Sequence, residues 1–241
     1  MDEKTNEEIK KFAEQVSSVL KDNFIGFYIF GSLAMGNWDT VTSDIDFLVI
    51  IKTPVVEQEM QELKVLHEKL LSSDIGYKLE GEYVDLKMLQ KNYLSSHCAG
   101  ISNGNFYSGP CNLSADNIVC LIEYGLVIIG KPINELGLHV TKEELREAVL
   151  GMLKEDAVKI DGATDFKSLY HLLINILRSI YTLQTNQLPS KLSAIEHNKD
   201  LLGEKFYGEI KLYIEHKIFE FPISKEKLKM LVKFGFQLKN N

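Results

Sequence analysis

Two short apolar runs near the N-terminus predict neighbouring strands. The first is aromatic and β-branched and stops abruptly at Gly31 and Ser32, and the second stops before Pro54. On either side, apolar residues recur at helical spacing. The predicted elements are a helix over 6–21, strands over 25–30 and 44–51, a helix over 56–71 and a strand over 80–89. This order indicates an α/β (α+β) domain with a mixed sheet and helices on one side.

Beyond residue 105, helical periodicity dominates the chain. Residues 95–110 are rich in Gly, Ser and Asn, which is typical of a boundary, so we expect domains over 1–105 and 106–241. Helices are predicted over 116–124, 142–160, 166–185, 190–197, 203–218 and 224–237, with a brief extended segment over 126–132. The second domain is therefore expected to be an all-α helical bundle.

The second strand opens with two carboxylates, Asp44 and Asp46. Residues two apart on a strand share a face, so these side chains are neighbours, roughly 7 Å apart by strand rise. Two like charges repel unless a cation joins them, and this spacing suits two divalent ions about 3.5–4 Å apart. Mg²⁺ is the expected ion because it prefers oxygen ligands. The alternative is an ordinary surface strand in which Gly31 and Gly36 only form turns.

A third carboxylate is expected from the strand over 80–89. Alternation separates Tyr83, Asp85 and Lys87 on one face from Glu82, Val84 and Leu86 on the other. We predict that Val84 and Leu86 pack in the core and that Asp85 lies on the polar face, near the aspartate pair.

This arrangement resembles the nucleotidyltransferase superfamily that includes DNA polymerase β, whose signature is Gly-Ser, a spacer with a further Gly, Asp-x-Asp and a third carboxylate. The resemblance implies that Gly31, Ser32 and Ser43 bind a nucleoside triphosphate. It also implies that Asp44, Asp46 and Asp85 are catalytic and hold two Mg²⁺ ions, with Asp85 as ligand and candidate general base.

A second resemblance lies in the helical half. Residues 178–185, 189–191 and Ala194, together with 126–132, are similar to the C-terminal domain of the aminoglycoside adenylyltransferases that modify streptomycin and spectinomycin. The resemblance implies Mg²⁺-dependent transfer of AMP from ATP to a hydroxyl of a small cationic acceptor. It implies that Lys191 contacts the triphosphate, against the alternative of a solvated lysine at a helix start. The family's third carboxylate is Glu, so whether Asp85 acts directly or through water stays open.

Candidates for acceptor binding are fewer. Asp165 is the one comparable acid in the segment that reads the drug in that family, and a matching Trp is missing, so the acceptor's identity stays open. Tyr181 lies on the following helix. Trp38 lies in the loop before Ser43, where it either stacks on a ring of the nucleotide or acceptor or anchors the loop by burial.

Charge and composition limit the kinds of molecule that the protein is expected to bind and the place where it is expected to act. The net charge is −7 and the chain has no evident basic stripe, which disfavours a polynucleotide. The polar start and the short apolar runs predict a cytoplasmic protein without a membrane segment. Without a Cys-x-x-Cys pair, Cys98, Cys111 and Cys120 are expected to be free thiols. The alternatives left open are a nucleotidyltransferase acting on a protein or tRNA, as in toxin–antitoxin systems, and a non-catalytic nucleotide-binding module.

Overall fold

The computed structural model describes residues 3–38, 43–91, 97–216 and 220–240. The chain divides into two compact units, the first ending at Val140 and the second beginning at Thr141. The predicted boundary after residue 105 falls instead inside a β-hairpin of the first unit. Residues 95 and 96 of the predicted boundary stretch lie outside the described residues.

The first unit contains a six-stranded mixed sheet with the order β5-β4-β3-β2-β1-β6. The strands are β1 Phe24–Ile29, β2 Ile45–Ile51, β3 Leu79–Asp85, β4 His97–Ser102, β5 Asn105–Pro110 and β6 Leu126–Gly130. The β2 and β3 strands are parallel, and the other neighbouring pairs are antiparallel. The predicted mixed sheet is confirmed.

Five α-helices accompany the sheet in the described part of this unit. They are α1 Glu3–Leu20, α2 Gly31–Ala34, α3 Glu57–Leu70, α4 Leu86–Lys91 and α5 Ala115–Tyr124. The apolar stripe of α1, including Phe12 and Val16, is fully buried against one face of the sheet. Phe27, Phe47 and Tyr83 come from three adjacent strands and fill that core.

Alternation along β2 separates two different environments. Phe47 belongs to the core cluster under α1 and α3. Asp46, Leu48 and Ile50 alternate with the core residues and therefore lie on the opposite face of the sheet. Because paired residues in a parallel ladder share a face, Glu82, the partner of Leu48, lies on that opposite face too.

The β4–β5 hairpin is an element that the sequence interpretation treated as a boundary. Its turn is formed by Asn103 and Gly104, which have φ of 50° and 73°. Positive φ at both central residues is the requirement of a tight two-residue hairpin turn, and Asn-Gly meets it best. The hairpin adds two strands beyond β3 and brings residues 97–110 into the sheet.

The second unit is helical in its described part, as predicted. Its helices are α6 Lys142–Lys159, α7 Phe166–Thr185, α8 Lys191–His197, α9 Lys199–Leu202, α10 Glu204–His216 and α11 Lys225–Gln237. Helix α7 is the centre of the bundle and packs against α6, α8 and α11. Residues 217 and 218, predicted to end a helix, lie outside the described residues. No helix in the described part of the chain is long and apolar enough to span a membrane.

Candidate functional site

The loop after β1 lies directly against the carboxylate of Asp46. Gly31 has φ of 68°, and a Cβ atom placed on it would be 1.9 Å from Asp46 Oδ2. Only glycine therefore fits, both for its backbone conformation and for the space left by the aspartate. The Phe30 amide donates to the Asp46 carbonyl at 3.0 Å and fixes this approach. The predicted proximity of the Gly-Ser turn and the Asp-x-Asp strand is present in the structure.

Backbone donors at the turn are already partly used. The Gly31 amide donates to Cys120 Sγ on α5 at 3.3 Å. Ser32 follows as the second residue of α2, and its carbonyl accepts from the Asn37 amide at 2.9 Å. Of the predicted nucleotide-binding residues at this turn, Gly31 thus has its amide directed to α5, and Ser32 contributes its carbonyl to the turn.

The segment before β2 is held by Trp38. Its indole Nε1 donates to the Ser43 carbonyl at 3.2 Å, and the Lys78 ammonium lies 5.5 Å from the ring centre. Trp38 also packs against the core cluster. These contacts support the interpretation of Trp38 as a loop anchor. Ser43 is buried, whereas Asp44 is exposed at the entrance to β2.

Asp85 does not join the aspartate pair, which corrects the sequence-based prediction. It is the partner of Ile51, five residues along from Asp46, so the rise of about 3.3 Å per residue puts it about 17 Å away. It also follows Tyr83 on the opposite face of the sheet. Its Oδ1 accepts the Met88 amide at 3.0 Å, which makes Asp85 the N-cap of α4.

Glu82 is the buried carboxylate that the register brings to the face of Asp46. Its partner Leu48 is two residues along β2 from Asp46. Strand spacing and rise put the Cα atoms of Asp46 and Glu82 about 8 Å apart. Glu80 is the direct partner of Asp46, but it binds the β4–β5 turn. Its Oε1 accepts from the Asn103 amide at 2.9 Å and from the Ser102 hydroxyl.

Three donors surround the Glu82 carboxylate, which is 4% exposed. Oε1 accepts from the Tyr107 hydroxyl and from the Asn112 amide, both at 2.7 Å, and Oε2 accepts the weaker thiol donor of Cys111 at 3.1 Å. Burial and the adjacent Glu82 carboxylate raise the pKa of Tyr107, so the phenol stays a donor. A buried carboxylate with these partners is satisfied without a salt bridge.

The hairpin makes this arrangement possible. Tyr107 pairs with Gly100, and a Cβ atom on Gly100 would lie 2.6 Å from the Tyr107 hydroxyl oxygen. The phenol therefore crosses β4 where no side chain stands and reaches Glu82 on β3. Sequence reasoning assigned Glu82 to the wrong face. The available signal was Gly81, whose missing Cβ leaves room for the Phe47 ring and carbonyl on the core side.

Comparison with known proteins decides the family. Residues 9–93 match the sequence model of the family described as nucleotidyltransferase domain. A Methanocaldococcus jannaschii protein named as a protein adenylyltransferase is 34% identical over 68 residues, which are 28% of this chain and 68% of that protein.

The chain belongs to the nucleotidyltransferase family.

The sequence and the structure are each also similar to an Enterococcus protein that is named for spectinomycin. The spectinomycin 9-adenylyltransferase of Enterococcus faecalis is 33% identical over 85 residues, or 35% of this chain, and the match spans only about a third (32%) of that relative's length. The crystal structure of an Enterococcus spectinomycin adenyltransferase with ATP and spectinomycin has a TM-score of 0.71 and 20% identity, covering 98% of this chain and 99% of that one. The predicted fold class, a nucleotidyltransferase domain followed by helices, is confirmed.

The other predicted site residues of this nucleotidyltransferase lie in the second unit. Lys191 is exposed and begins α8, whose N-cap is Ser190. Asp165 is the N-cap of α7, and the Ser168 hydroxyl and then its amide lower the pKa of the Asp165 carboxyl by donating to it. Tyr181 is half-buried on α7, with its ring centre 4.7 Å from that of His197. The structure gives Asp165 a clear role in starting a helix.

Proposed function

We propose that this protein is an adenylyltransferase that transfers AMP from ATP to a hydroxyl of an aminoglycoside-type antibiotic, with spectinomycin as the first acceptor to test. The observation that carries the proposal is the placement of Asp46 against Gly31 with Glu82 on the same face of the next strand. The antibiotic class is suggested by what the similar Enterococcus proteins are named for.

Asp44 and Asp46 are the residues proposed to hold Mg²⁺. Their donors are carboxylate oxygens, which Mg²⁺ prefers, and Asp46 lies against Gly31, whose missing side chain lets the Gly-Ser turn approach the carboxylate closely. Two bound ions would neutralise charge on the phosphates and lower the pKa of the attacking hydroxyl. Ser32 would donate its amide and hydroxyl to phosphate oxygens, and Ser43 would help to position the same group.

Glu82 is the proposed general base in place of Asp85. The acceptor oxygen attacks the α-phosphorus, pyrophosphate leaves, and the hydroxyl proton passes to Glu82. Oε1 already accepts two strong hydrogen bonds, whereas Oε2 accepts the weaker thiol donor of Cys111, so Oε2 is the oxygen better able to take the proton. As a Glu, this residue also agrees with the third carboxylate expected from the aminoglycoside adenylyltransferases.

The roles implied for three residues of the second unit are part of the proposal. Lys191, exposed at the start of α8, is proposed to contact the triphosphate as a mobile point charge. Tyr181 and Asp165 are proposed to lie near a cationic acceptor. Since Asp165 also caps α7, its replacement by Asn, which keeps the cap, separates acceptor binding from helix stability.

Labelled ATP tests the proposal directly. Purified full-length protein is incubated with α-labelled ATP, Mg²⁺ and a panel containing spectinomycin, streptomycin and other aminoglycosides, with Glu82→Gln as the matched control. We expect label on a small-molecule acceptor with wild-type protein and far less with the variant. Absence of transfer to every acceptor with and without Mg²⁺ would contradict the proposal.

Transfer to a protein is the second candidate, because the similarity to the Methanocaldococcus protein covers most of that protein. The same reaction with added cell extract and tRNA tests it. Label on a protein band and none on any antibiotic would favour this alternative, and label on tRNA would favour a nucleic-acid acceptor.

A further inference from the structure

A cluster of three metal-binding side chains lies beside the proposed base. We call Glu82, Cys98 and Cys111 the thiol cluster. Their ligand atoms all lie within 4.8 Å of one another, and Cys111 Sγ is 3.1 Å from Glu82 Oε2. A hydrogen bond with Cys111, together with burial and the Glu82 charge, raises the pKa of Cys98. Both thiols are free of disulfides.

The strand register explains the convergence. Glu82 pairs with Gly100, which is two residues from Cys98 and so shares its face. Cys98 in turn pairs with Gly109, two residues before Cys111. Residues separated by 16 and 29 positions from Glu82 are thereby collected on one face, which the spacing of cysteines along the chain did not indicate.

The geometry suits a thiophilic ion. Metal–sulfur bonds of about 2.3 Å and metal–oxygen bonds of about 2.0–2.2 Å in a tetrahedron imply sulfur and oxygen ligand atoms roughly 3.5–3.8 Å apart. The three ligand atoms lie within 4.8 Å of one another, so shifts of about 1 Å would bring them to this spacing. Cys111 is half-exposed, so an ion has a route from solvent to the buried Cys98 and Glu82.

We propose that Glu82, Cys98 and Cys111 bind a thiophilic divalent cation such as Zn²⁺, at a site separate from the all-oxygen pair Asp44 and Asp46. Both thiols release their protons to solvent on binding, so the ion replaces two S–H groups by two metal–thiolate bonds. Two thiolates and one carboxylate leave the fourth tetrahedral position for water or a substrate oxygen. Mg²⁺ does not compete effectively for thiolates.

Occupation of this site has a consequence that rests on the proposed function. A cation that takes the Glu82 carboxylate removes the group that accepts the proton of the attacking hydroxyl. Zn²⁺ is therefore expected to inhibit AMP transfer, and excess Mg²⁺ is not expected to restore it. Inhibition should depend on Cys98 and Cys111.

Binding is tested first without reference to activity. Metal-free, reduced, full-length protein is titrated with Co²⁺ under anaerobic conditions, and absorbance in the near ultraviolet reports thiolate-to-metal charge transfer. We expect one equivalent to give a band that Zn²⁺ abolishes by displacement. The band should fall in Cys98→Ala and in Cys111→Ser and vanish in the double variant, whereas Cys120→Ser is the matched control that retains it.

Zn²⁺ affinity, measured by competition with a chromophoric chelator, should fall in each single variant by at least the roughly 10- to 100-fold that loss of an outer-shell partner costs a metal site. Circular dichroism verifies folding, and the half-exposed Cys111 gives a variant that avoids a core position. No charge-transfer band in the wild-type protein, or an equal band in the folded double variant, would overturn the proposal.

The two proposals fail in distinguishable ways. A cysteine-dependent Co²⁺ band in a protein that transfers AMP to no acceptor supports the thiol cluster and removes the proposed function. Active transfer that Zn²⁺ inhibits equally in the wild-type protein and the double variant overturns the link between the cluster and Glu82.

Discussion

Each face of the central sheet has a buried titratable side chain next to a tyrosine hydroxyl, but the two side chains differ in their surroundings. On the face under α1 and α3, His67 Nε2 lies 2.7 Å from the Tyr83 hydroxyl, and both residues are buried. On the other face, Glu82 lies 2.7 Å from the Tyr107 hydroxyl and accepts two further hydrogen bonds.

The difference lies in what surrounds each titratable group. Burial lowers the pKa of His67 to about 3, and among the described residues its Nδ1 has no partner, so the imidazole is neutral and part of an aromatic core. Glu82 is equally hidden but is met by donors from the outer hairpin. Along the alternating strand β3, Tyr83 thus packs in the core, and the adjacent Glu82 is the residue proposed for proton transfer.

The largest effect is expected from removing the charge of either carboxylate on the Glu82 face. Glu82→Gln should lower the rate of AMP transfer by about 10²–10⁴-fold, the contribution typical of a general base, and Asp46→Asn should lower it at least as much. Asp85→Asn is the matched control and should stay within a few-fold of wild type. Steady-state kinetics with the identified acceptor measures all three. An inactive Asp85→Asn with a fully active Glu82→Gln would reverse the assignment.

Gly31→Ala should lower the rate by about 100-fold, because the new methyl group displaces Asp46 Oδ2, and misplacement by about 1 Å can cost that much. Gly36→Ala is a sharp control. Gly36 has φ of 71°, close to the 68° of Gly31, but a Cβ atom there would meet nothing within 4 Å. Both variants carry backbone strain of about 1–2 kcal/mol, and only the first should lose catalysis. Equal activity of Gly31→Ala and Gly36→Ala would show that the contact between Gly31 and Asp46 is not needed for AMP transfer.

The His67 pair should make stability depend on pH. The unfolded state binds a proton at His67 below about pH 6.5, and the folded state does not until about pH 3, so stability is lost as the pH falls. Between pH 7.5 and 5.5 this residue should remove about 1.4 kcal/mol from the free energy of unfolding. Urea unfolding at both pH values measures it. The double variant His67→Phe/Tyr83→Phe, which leaves no unpaired partner, should lose this part of the dependence, and an unchanged dependence would contradict the explanation.

The smallest effect concerns Asp85. Asp85→Ala should lower the free energy of unfolding by about 1 kcal/mol through loss of the cap on α4. Asp85→Asn, which can still accept the Met88 amide, should lose only a fraction of that. Thermal unfolding of the two variants makes the comparison, and equal stability of Asp85→Ala and wild type would show that the cap is dispensable.

Most of the elements could be predicted from the sequence, because amphipathic periods and the Gly-Ser and Asp-x-Asp spacing are local signals. The face that β3 turns to the site could not be predicted by alternation alone. Alternation divides a strand into two sets, and only pairing with β2 shows that Tyr83 belongs with Phe47 and Glu82 with Asp46. The end of β3 at Asp85 could not be predicted either, because the apolar residues after Asp85 are compatible with a strand or a helix.

The hairpin was missed for a different reason. Asn103-Gly104 is a strong local turn signal, but the many small polar residues around it are also typical of a linker. That misinterpretation moved the predicted domain boundary to 105 and hid Tyr107 and the convergence of the cysteines. Long-range contacts such as those in the thiol cluster depend on how the strands pair, and that pairing could not be derived from the sequence.

Because Gly100 has no side chain, the edge strand β5 can contact a residue of β3, two strands further into the sheet. Because Tyr107 reaches across that gap, the shape of an outermost ribbon decides how a carboxylate one strand further in is held. We expect the hydrogen bonds of Glu82 to change if a methyl group is added at Gly100, if residues are inserted near Asn103 or if the twist of the β4–β5 hairpin changes. None of these changes alters the Gly-Ser or Asp-x-Asp motif. Differences among relatives in this ribbon are therefore a place to look for differences in chemistry.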